Sequence, residues 1–146
     1  MIAVDTNFLV HAHREDTTQH EKANARLREL AESGAQWAIC FHCLVEFYGV
    51  VTRSGIWKQP SPPQRAWDQI HAWLEAPDLH LLSDDRVGLE TLERLTVSAG
   101  VQGSVVHDAR IAACCLSHGV RELWTVDRDF SRFPELRTRN PLIGSK

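Results

Sequence analysis

A chain of 146 residues, 43% hydrophobic and 24% charged, has the length of one domain and is too apolar for a disordered or fibrous protein. At about 150 residues a domain buries close to 70% of its unfolded surface, so its core requires no disulfide or structural metal. The formal charge of −3 excludes a broadly basic nucleic-acid coat and leaves room only for a local basic patch. All basic residues except Lys22, Lys58 and Lys146 are Arg, a bias that genome composition explains as readily as phosphate binding does. The start, Met1-Ile2-Ala3-Val4-Asp5, has no basic leader followed by a long apolar run. No window approaches the roughly 18 apolar residues of a membrane helix. Cys40, Cys43, Cys114 and Cys115 are therefore expected to be reduced thiols in a cytoplasm, with no membrane partner. Residues 1–146 are expected to form one domain.

Ile2-Ala3-Val4 reads as a short buried strand. Thr18 and Glu21 have capping-box spacing, and Ala23, Leu27, Leu30 and Ala31 then follow one helical face. Trp37 to Cys40 is a second strand, and His42 to about Arg53 a helix. Ser54 to Pro63 is the most loop-like stretch and is too short to separate domains. Ser61, Pro62 and Gln64 read as N-cap, N1 proline and N3 partner of a helix striped by Ala66, Ile70, Trp73 and Leu74. Leu79 to Leu82 is a third strand. Asp84 or Asp85 starts a helix through Leu92, Leu95 and Ala99. Ser104 caps a helix running to a C-terminal Gly119. Glu122 to Val126 is a fourth strand, and Leu136 to Thr138 a fifth. Strands alternating with helices imply a three-layer α/β/α domain with a mainly parallel sheet of four to five strands. Ligands of such sheets sit beyond the carboxyl ends of the strands, near the topological switch.

Carboxylates gather at that edge. Asp5 follows the first strand, with Thr6 and Asn7 beside it. Asp127 follows the fourth strand, with Asp129 two residues on. Glu46 lies in the helix after the second strand, and Asp108 in the first turns of the Ser104-capped helix. Each has an ordinary explanation alone. Asp5 reads as a helix N-cap, Glu46 as a solvated helix residue, Asp108 as a charge favoured at a helix start, and Asp127 and Asp129 as turn residues. Together they share one edge without an obvious Arg or Lys to neutralise them. Clustered carboxylates of that kind ask for a hard divalent cation such as Mg²⁺ or Mn²⁺.

Val4-Asp5-Thr6-Asn7, Val45-Glu46-Phe47, His107 to Ala113 and Thr125 to Phe130 resemble the PIN domain. Phe133-Pro134-Glu135-Leu136 and Arg139-Asn140-Pro141-Leu142 resemble the VapC-type toxins of bacterial toxin–antitoxin pairs. The resemblance spans the chain, and its order and spacing are more specific than any single motif. It implies a Mg²⁺-dependent endoribonuclease acting on single-stranded RNA, with Mn²⁺ able to substitute. Asp5, Glu46, Asp108 and Asp127 would be its metal-binding and catalytic quartet, with Asp5 and Asp108 holding the principal ion. Asp129 ranks fifth, and Thr6 and Thr125 would be supporting hydroxyls. The products would carry a 5′-phosphate and a 3′-hydroxyl. A homodimer and a cognate antitoxin that blocks the site are further implications.

Other classes have weaker signals. Cys40-Phe41-His42-Cys43 has redox-motif spacing at a strand-to-helix junction, but lacks the usual Gly-Pro interior and a second ligand pair for zinc. Packed thiols are the expectation there. Neighbouring helix residues point about 100° apart, so His107 is expected not to share an ion with Asp108. Arg14, Arg110 and Arg128 are candidates to steer phosphate, against ordinary surface roles. Trp57, Trp67 and Trp73 suit either core packing or an exposed partner patch. A non-catalytic module binding a metal or a basic partner is the remaining alternative.

Overall fold

The computed structural model describes residues 1–143; the last three positions of the expected domain lie outside the described residues. Strand β1 (Ile2–Val4) is followed by α1 (Thr6–His13) and α2 (His20–Glu32). Strand β2 (Trp37–Cys40) leads to α3 (Phe41–Val51) and α4 (Pro63–Leu74). Strand β3 (Leu79–Leu82) leads to α5 (Arg86–Ala99), a 3₁₀ turn at Gly103–Val105, and α6 (Val106–Ser117). Strand β4 (Glu122–Trp124), a 3₁₀ turn at Asp129–Arg132 and β5 (Arg137–Arg139) complete the described chain.

The five strands are all parallel, in the order β3-β2-β1-β4-β5. Ile2 lies opposite Trp37 on one side and Glu122 on the other. This three-layer α/β/α arrangement matches the expected class. Helices α1 to α4 pack among themselves, and α5 packs on α6. Right-handed crossovers set these two groups on opposite faces of the sheet. The connections diverge between β1 and β4, so a crevice opens at the carboxyl ends of those two strands. The central strands are buried on both faces: β2 is Trp-Ala-Ile-Cys throughout, and Ala3, Val4 and Leu123 are covered.

Several local expectations shift. Helix α1 was signalled only by Asp5 as an N-cap; its Phe8, Leu9 and Ala12 are buried. Thr18 and Glu21 form no capping box. The N-cap of α2 is Gln19, without a side-chain hydrogen bond, and the helix start is tethered where His20 Nδ1 meets the His11 carbonyl at 3.0 Å. Ser61 does not cap α4. Its hydroxyl contacts His13 Nε2 at 3.0 Å and accepts from Arg14 Nη1 at 3.1 Å, so Pro62 takes the cap position and Pro63 the first turn. Asp85, rather than Asp84, caps α5, accepting from the Gly88 amide at 2.7 Å. Ser104 lies inside the 3₁₀ turn and makes no cap. Strand β4 ends at Trp124, two residues early; the Thr125 amide still donates to the Arg139 carbonyl at 3.0 Å, and its hydroxyl turns to Asp5. Strand β5 starts one residue late, after Leu136 closes a turn on the Phe133 carbonyl.

Helix α3 is fixed by Phe47, which is fully buried with its ring edge-on to Trp73 at 4.8 Å and to His13 at 5.2 Å. Phe47 follows Glu46 directly, so this packing also sets the site. Phe47→Ala is expected to cost about 3–5 kcal/mol in urea unfolding. A loss below about 1 kcal/mol would show that the cluster does not hold α3.

Candidate metal centre

Asp5 ends β1 and begins α1. Its backbone amide donates to the Trp124 carbonyl at 2.9 Å, continuing the β1–β4 ladder by one residue. Its Oδ1 accepts from the Thr6 amide at 2.8 Å, capping α1, and its Oδ2 accepts from the Thr125 hydroxyl at 2.7 Å. The side chain is therefore both a helix cap and a buried acid, only 4% exposed. Burial raises its pKa from the usual 3.8 to about 6; the Thr125 and Thr6 hydrogen bonds oppose the rise, and the charges of Glu46 and Asp127 add to it.

Thr125 also accepts from the Asp127 amide at 3.0 Å, and Asp127 Oδ1 accepts from the Asp129 amide at 2.8 Å. One hydroxyl thus links Asp5 to the turn that carries two further carboxylates. Asn7 Oδ1 accepts from the Val126 amide at 3.4 Å and pins the same turn to α1. Helix α6 brings Asp108 to the opposite side. Carboxylate oxygens of Asp108, Asp127 and Asp129 lie within 4.8 Å of one another. Burial raises the pKa of Asp108, followed by repulsion from Asp127, Asp129 and Glu46, with Arg132 opposing. Arg132 is thus a cation near the cluster that the sequence pattern does not reveal.

Glu46 reaches the crevice from α3. Its Oε1 accepts from the Thr6 hydroxyl at 3.2 Å and lies 3.3 Å from His42 Nε2. Arg110 Nη1 meets His42 Nδ1 at 3.1 Å. A guanidinium only donates, so Nδ1 accepts and Nε2 carries the proton that faces Glu46. Arg110 Nε in turn donates to Asp84 at 2.7 Å. Asp84, Arg110, His42 and Glu46 therefore form one chain of contacts. Asp5, Thr6, Glu46, Asp108 and Asp127 together line a cleft of about 380 Å³, whose wall is Val10, Val50, Ile56, Trp57 and Ile111.

The chain's likeness to known proteins agrees with this geometry. A family model described as PIN domain matches residues 2–136. Ribonuclease VapC43 of Mycobacterium tuberculosis is 33% identical over 144 residues, spanning 99% of this chain and 97% of that protein. This chain belongs to the PIN-domain family. Ribonuclease VapC37 of the same organism is 30% identical over 142 residues, covering 97% of each. Among solved structures, VapBC2 from Rickettsia felis bound to a promoter DNA fragment aligns with a TM-score of 0.69, at 20% identity, over 95% of this chain and 98% of that one. VapC20 of M. tuberculosis, a Sarcin-Ricin loop cleaving toxin, aligns with a TM-score of 0.65, at 20% identity, over 90% and 93%.

Within this PIN domain, the structure sorts the residues singled out from sequence. Thr6 and Thr125 each bond a carboxylate. Asp129, ranked fifth from sequence, joins Asp108 and Asp127 in the tightest acidic group, because the Asp127–Asp129 turn folds both side chains to one side. His42 and its chain to Asp84 have no sequence signal beyond the four-residue spacing to Glu46. Arg14 does not face solvent as a free cation: it is buried, paired with Asp16 at 2.6 Å and stacked on Trp57 at 4.4 Å. Arg110 is likewise engaged, while Arg128 is exposed. Trp73 packs in the core, Trp57 walls the cleft, and Trp67 is about half exposed.

All four thiols are free and buried. Contacts with Cys114 and Cys115, together with burial, hold the Cys40 thiol well above its usual pKa. Cys43 is raised by its Cys40 contact, by burial and by Asp5, whose Oδ1 lies 3.7 Å from its Sγ. Cys114 shifts downward as the partner of Cys40, but it is only 4% exposed. Protonated, covered sulfurs make poor nucleophiles. Native protein is expected to keep all four thiols under iodoacetamide for as long as urea-unfolded chain takes to alkylate fully, read by intact mass. Rapid native alkylation of Cys40 or Cys43 would revive the redox alternative.

The pH dependence of Asp5 has a defined sign. Its folded pKa is about 6, against about 4 in the unfolded chain. The folded state favours the protonated form, so that contribution is complete below about pH 4 and is lost as pH rises from 4 through 6. Asp5→Asn carries no such charge. With EDTA present, the stability of Asp5→Asn relative to wild type should rise by up to roughly 3 kcal/mol between pH 4 and pH 7. A difference that stays flat across that range would mean that Asp5 ionises alike in both states.

Proposed function

We propose that this chain is a divalent-metal-dependent endoribonuclease cutting single-stranded regions of RNA, the toxin of a toxin–antitoxin pair. The observation that carries the proposal is the convergence of Asp108, Asp127 and Asp129 within 4.8 Å. Among the described residues, neither these three nor Asp5 has a cationic side chain within 4.0 Å. Crowded carboxylates offering only oxygen donors, with the pKa of Asp5 and of Asp108 raised, fit a hard cation, Mg²⁺ with Mn²⁺ as a substitute. The ribonuclease names of the relatives that align along nearly the whole chain support RNA as substrate.

In this reading Asp5, Glu46, Asp108 and Asp127 are the catalytic and metal-binding quartet, and Asp129 is a fifth acid beside them. When bound, the cation neutralises charge developing on the phosphate and acidifies an attacking water. The chain's own groups do the positioning. Thr125 holds Asp5 and the Asp127 turn at a fixed separation. Thr6 holds Glu46 against α1, and His42 lies beside it on α3. The apolar wall of Val50, Ile56 and Trp57 restricts water on one flank. A cognate antitoxin, a homodimer and a cytoplasmic location complete the proposal. The exposed Phe41 and Val45, one turn apart on α3, support a protein contact. No helix among the described residues is long and apolar enough to cross a membrane.

The alternative module, which binds without cutting, is separated by one assay. Pure protein should cleave single-stranded RNA with Mg²⁺ or Mn²⁺ and not with EDTA. Losing groups that merely orient metal ligands costs 10–100-fold in comparable sites, so Asp108→Asn and Asp127→Asn are each expected to lose at least about 100-fold while still melting cooperatively. Mg²⁺ at about a hundredfold over Kd should also stabilise wild type by about 2.7 kcal/mol, and both variants by less. A pure protein that is stabilised by Mg²⁺ but leaves RNA intact would favour the non-catalytic module.

A further inference from the structure

The chain has an overall excess of acid, yet its longest stretch without Asp or Glu runs from residue 47 to residue 67. That stretch carries Arg53, Lys58 and Arg65, and it spans the end of α3, the connection and the start of α4, where Arg65 lies. It also separates two concavities. On one side Ile56 and Trp57 wall the acidic cleft. On the other a groove of about 500 Å³ is lined by Lys58 and Arg65 together with His13, Arg14, Glu15 and Asp16. The Trp57 ring is the partition: it faces the cleft, and the Arg14 guanidinium of the groove lies over it at 4.4 Å.

The connection is held rather than loose. The Trp57 Nε1–H donates to the Val50 carbonyl at 2.8 Å, and the Ser61 amide donates to the Val51 carbonyl at 2.8 Å. Arg14 Nη1 donates to the Gln59 carbonyl at 2.9 Å and to Ser61 Oγ at 3.1 Å. Asp16 neutralises Arg14. The structural cation is thereby satisfied, while Lys58 and Arg65 stand exposed with no acidic partner among the described residues. A preformed wall of this kind lowers the ordering cost of binding a flexible strand.

We propose that this groove binds the RNA strand to one side of the cleaved phosphate, with flanking phosphates on Lys58 and Arg65 and an intervening base against Ile56 and Trp57. The inference rests on the ribonuclease reading of the cleft and adds the path of its substrate. The order of surfaces decides for RNA: an acidic floor suited to a cation and phosphate, an apolar ridge, then a pair of unpaired cations. Single-stranded nucleic acid alternates anion and flat apolar base in the same way. An acidic protein segment would satisfy the two cations but gain nothing from the acidic floor beside them. Arg14 is a positioning residue here, because it shapes the connection without offering its charge.

The test measures binding of a fluorescein-labelled single-stranded RNA oligonucleotide by anisotropy over a salt series. Calcium replaces magnesium, and a gel confirms that the RNA stays intact. Each phosphate contact to a single strand contributes about 0.7 to the slope of log affinity against log salt. Lys58→Ala/Arg65→Ala should reduce that slope by about 1.4, and in magnesium should raise KM with kcat changed less than about twofold. Lys22→Ala/Arg28→Ala, an equal charge change on the outside of α2, should leave the slope unchanged. An unaltered slope in the first variant, or an equal loss in the control, would overturn the proposal. Competition by polyglutamate as strong as by unlabelled RNA would assign the groove to an acidic protein instead. Cleavage by wild type is scored separately: if it is absent in magnesium and manganese, the ribonuclease reading fails, whereas cleavage with an unaltered slope refutes only the substrate path.

Discussion

The cost of burying one carboxylate organises this molecule. Asp5 sits where β1 ends and the sheet's connections part in two directions, and it is almost wholly removed from water. An isolated charge there would cost several kcal/mol. The fold meets that cost with two donors, the Thr6 amide and the Thr125 hydroxyl, and leaves the remainder as a pKa raised to about 6. Because Thr125 belongs to the end of β4 and Thr6 to the start of α1, the same two bonds join the sheet's switch point to both flanking segments. Asp127 and Asp129 then follow Thr125 on a turn whose amides bond Thr125 and Asp127 in succession. The acidic cleft is in this sense a consequence of how Asp5 is satisfied.

The carboxylates are uncompensated by design of the surrounding pairs. Arg110 is taken by Asp84 and His42, Arg14 by Asp16, and Arg26 by Glu29. Arg132 lies near Asp108 and opposes the rise of its pKa, but no guanidinium comes within 4.0 Å of Asp5, Asp108, Asp127 or Asp129 among the described residues, so the cleft keeps a negative potential. The same separation of charge leaves the α3–α4 connection inside the longest segment free of acid, directly beside the cleft. Negative floor and positive flank sit next to each other although the protein as a whole is weakly acidic.

Much was legible from residue order. The short apolar runs at Ile2–Val4 and Trp37–Cys40 mark strands, because segments covered on both faces must be apolar; Leu79–Leu82 is an edge strand that leaves His80 and Leu81 exposed. Asp5, Glu46, Asp108 and Asp127 stand just beyond strands or early in helices, and parallel topology alone carries such positions to one edge. That rule needs only alternation of elements, which local composition supplies.

What residue order could not decide depends on partners distant in the chain. Ser61 has an ideal capping residue type, yet its hydroxyl is claimed by His13 and Arg14, more than forty positions earlier. Asp129 looks like a turn residue until the turn's fold sets it beside Asp108 of another helix. Arg14 resembles a free phosphate binder until Asp16, Gln59 and Trp57 close around it. Sequence by itself determined the α/β class and the edge where the acids gather, because periodicity and local spacing encode them, and its motifs carried the resemblance to the PIN domain. Only tertiary structure decided which hydroxyl, cation and carboxylate meet, because a hydrogen bond or ion pair depends on distances of a few Å between segments that share no local pattern.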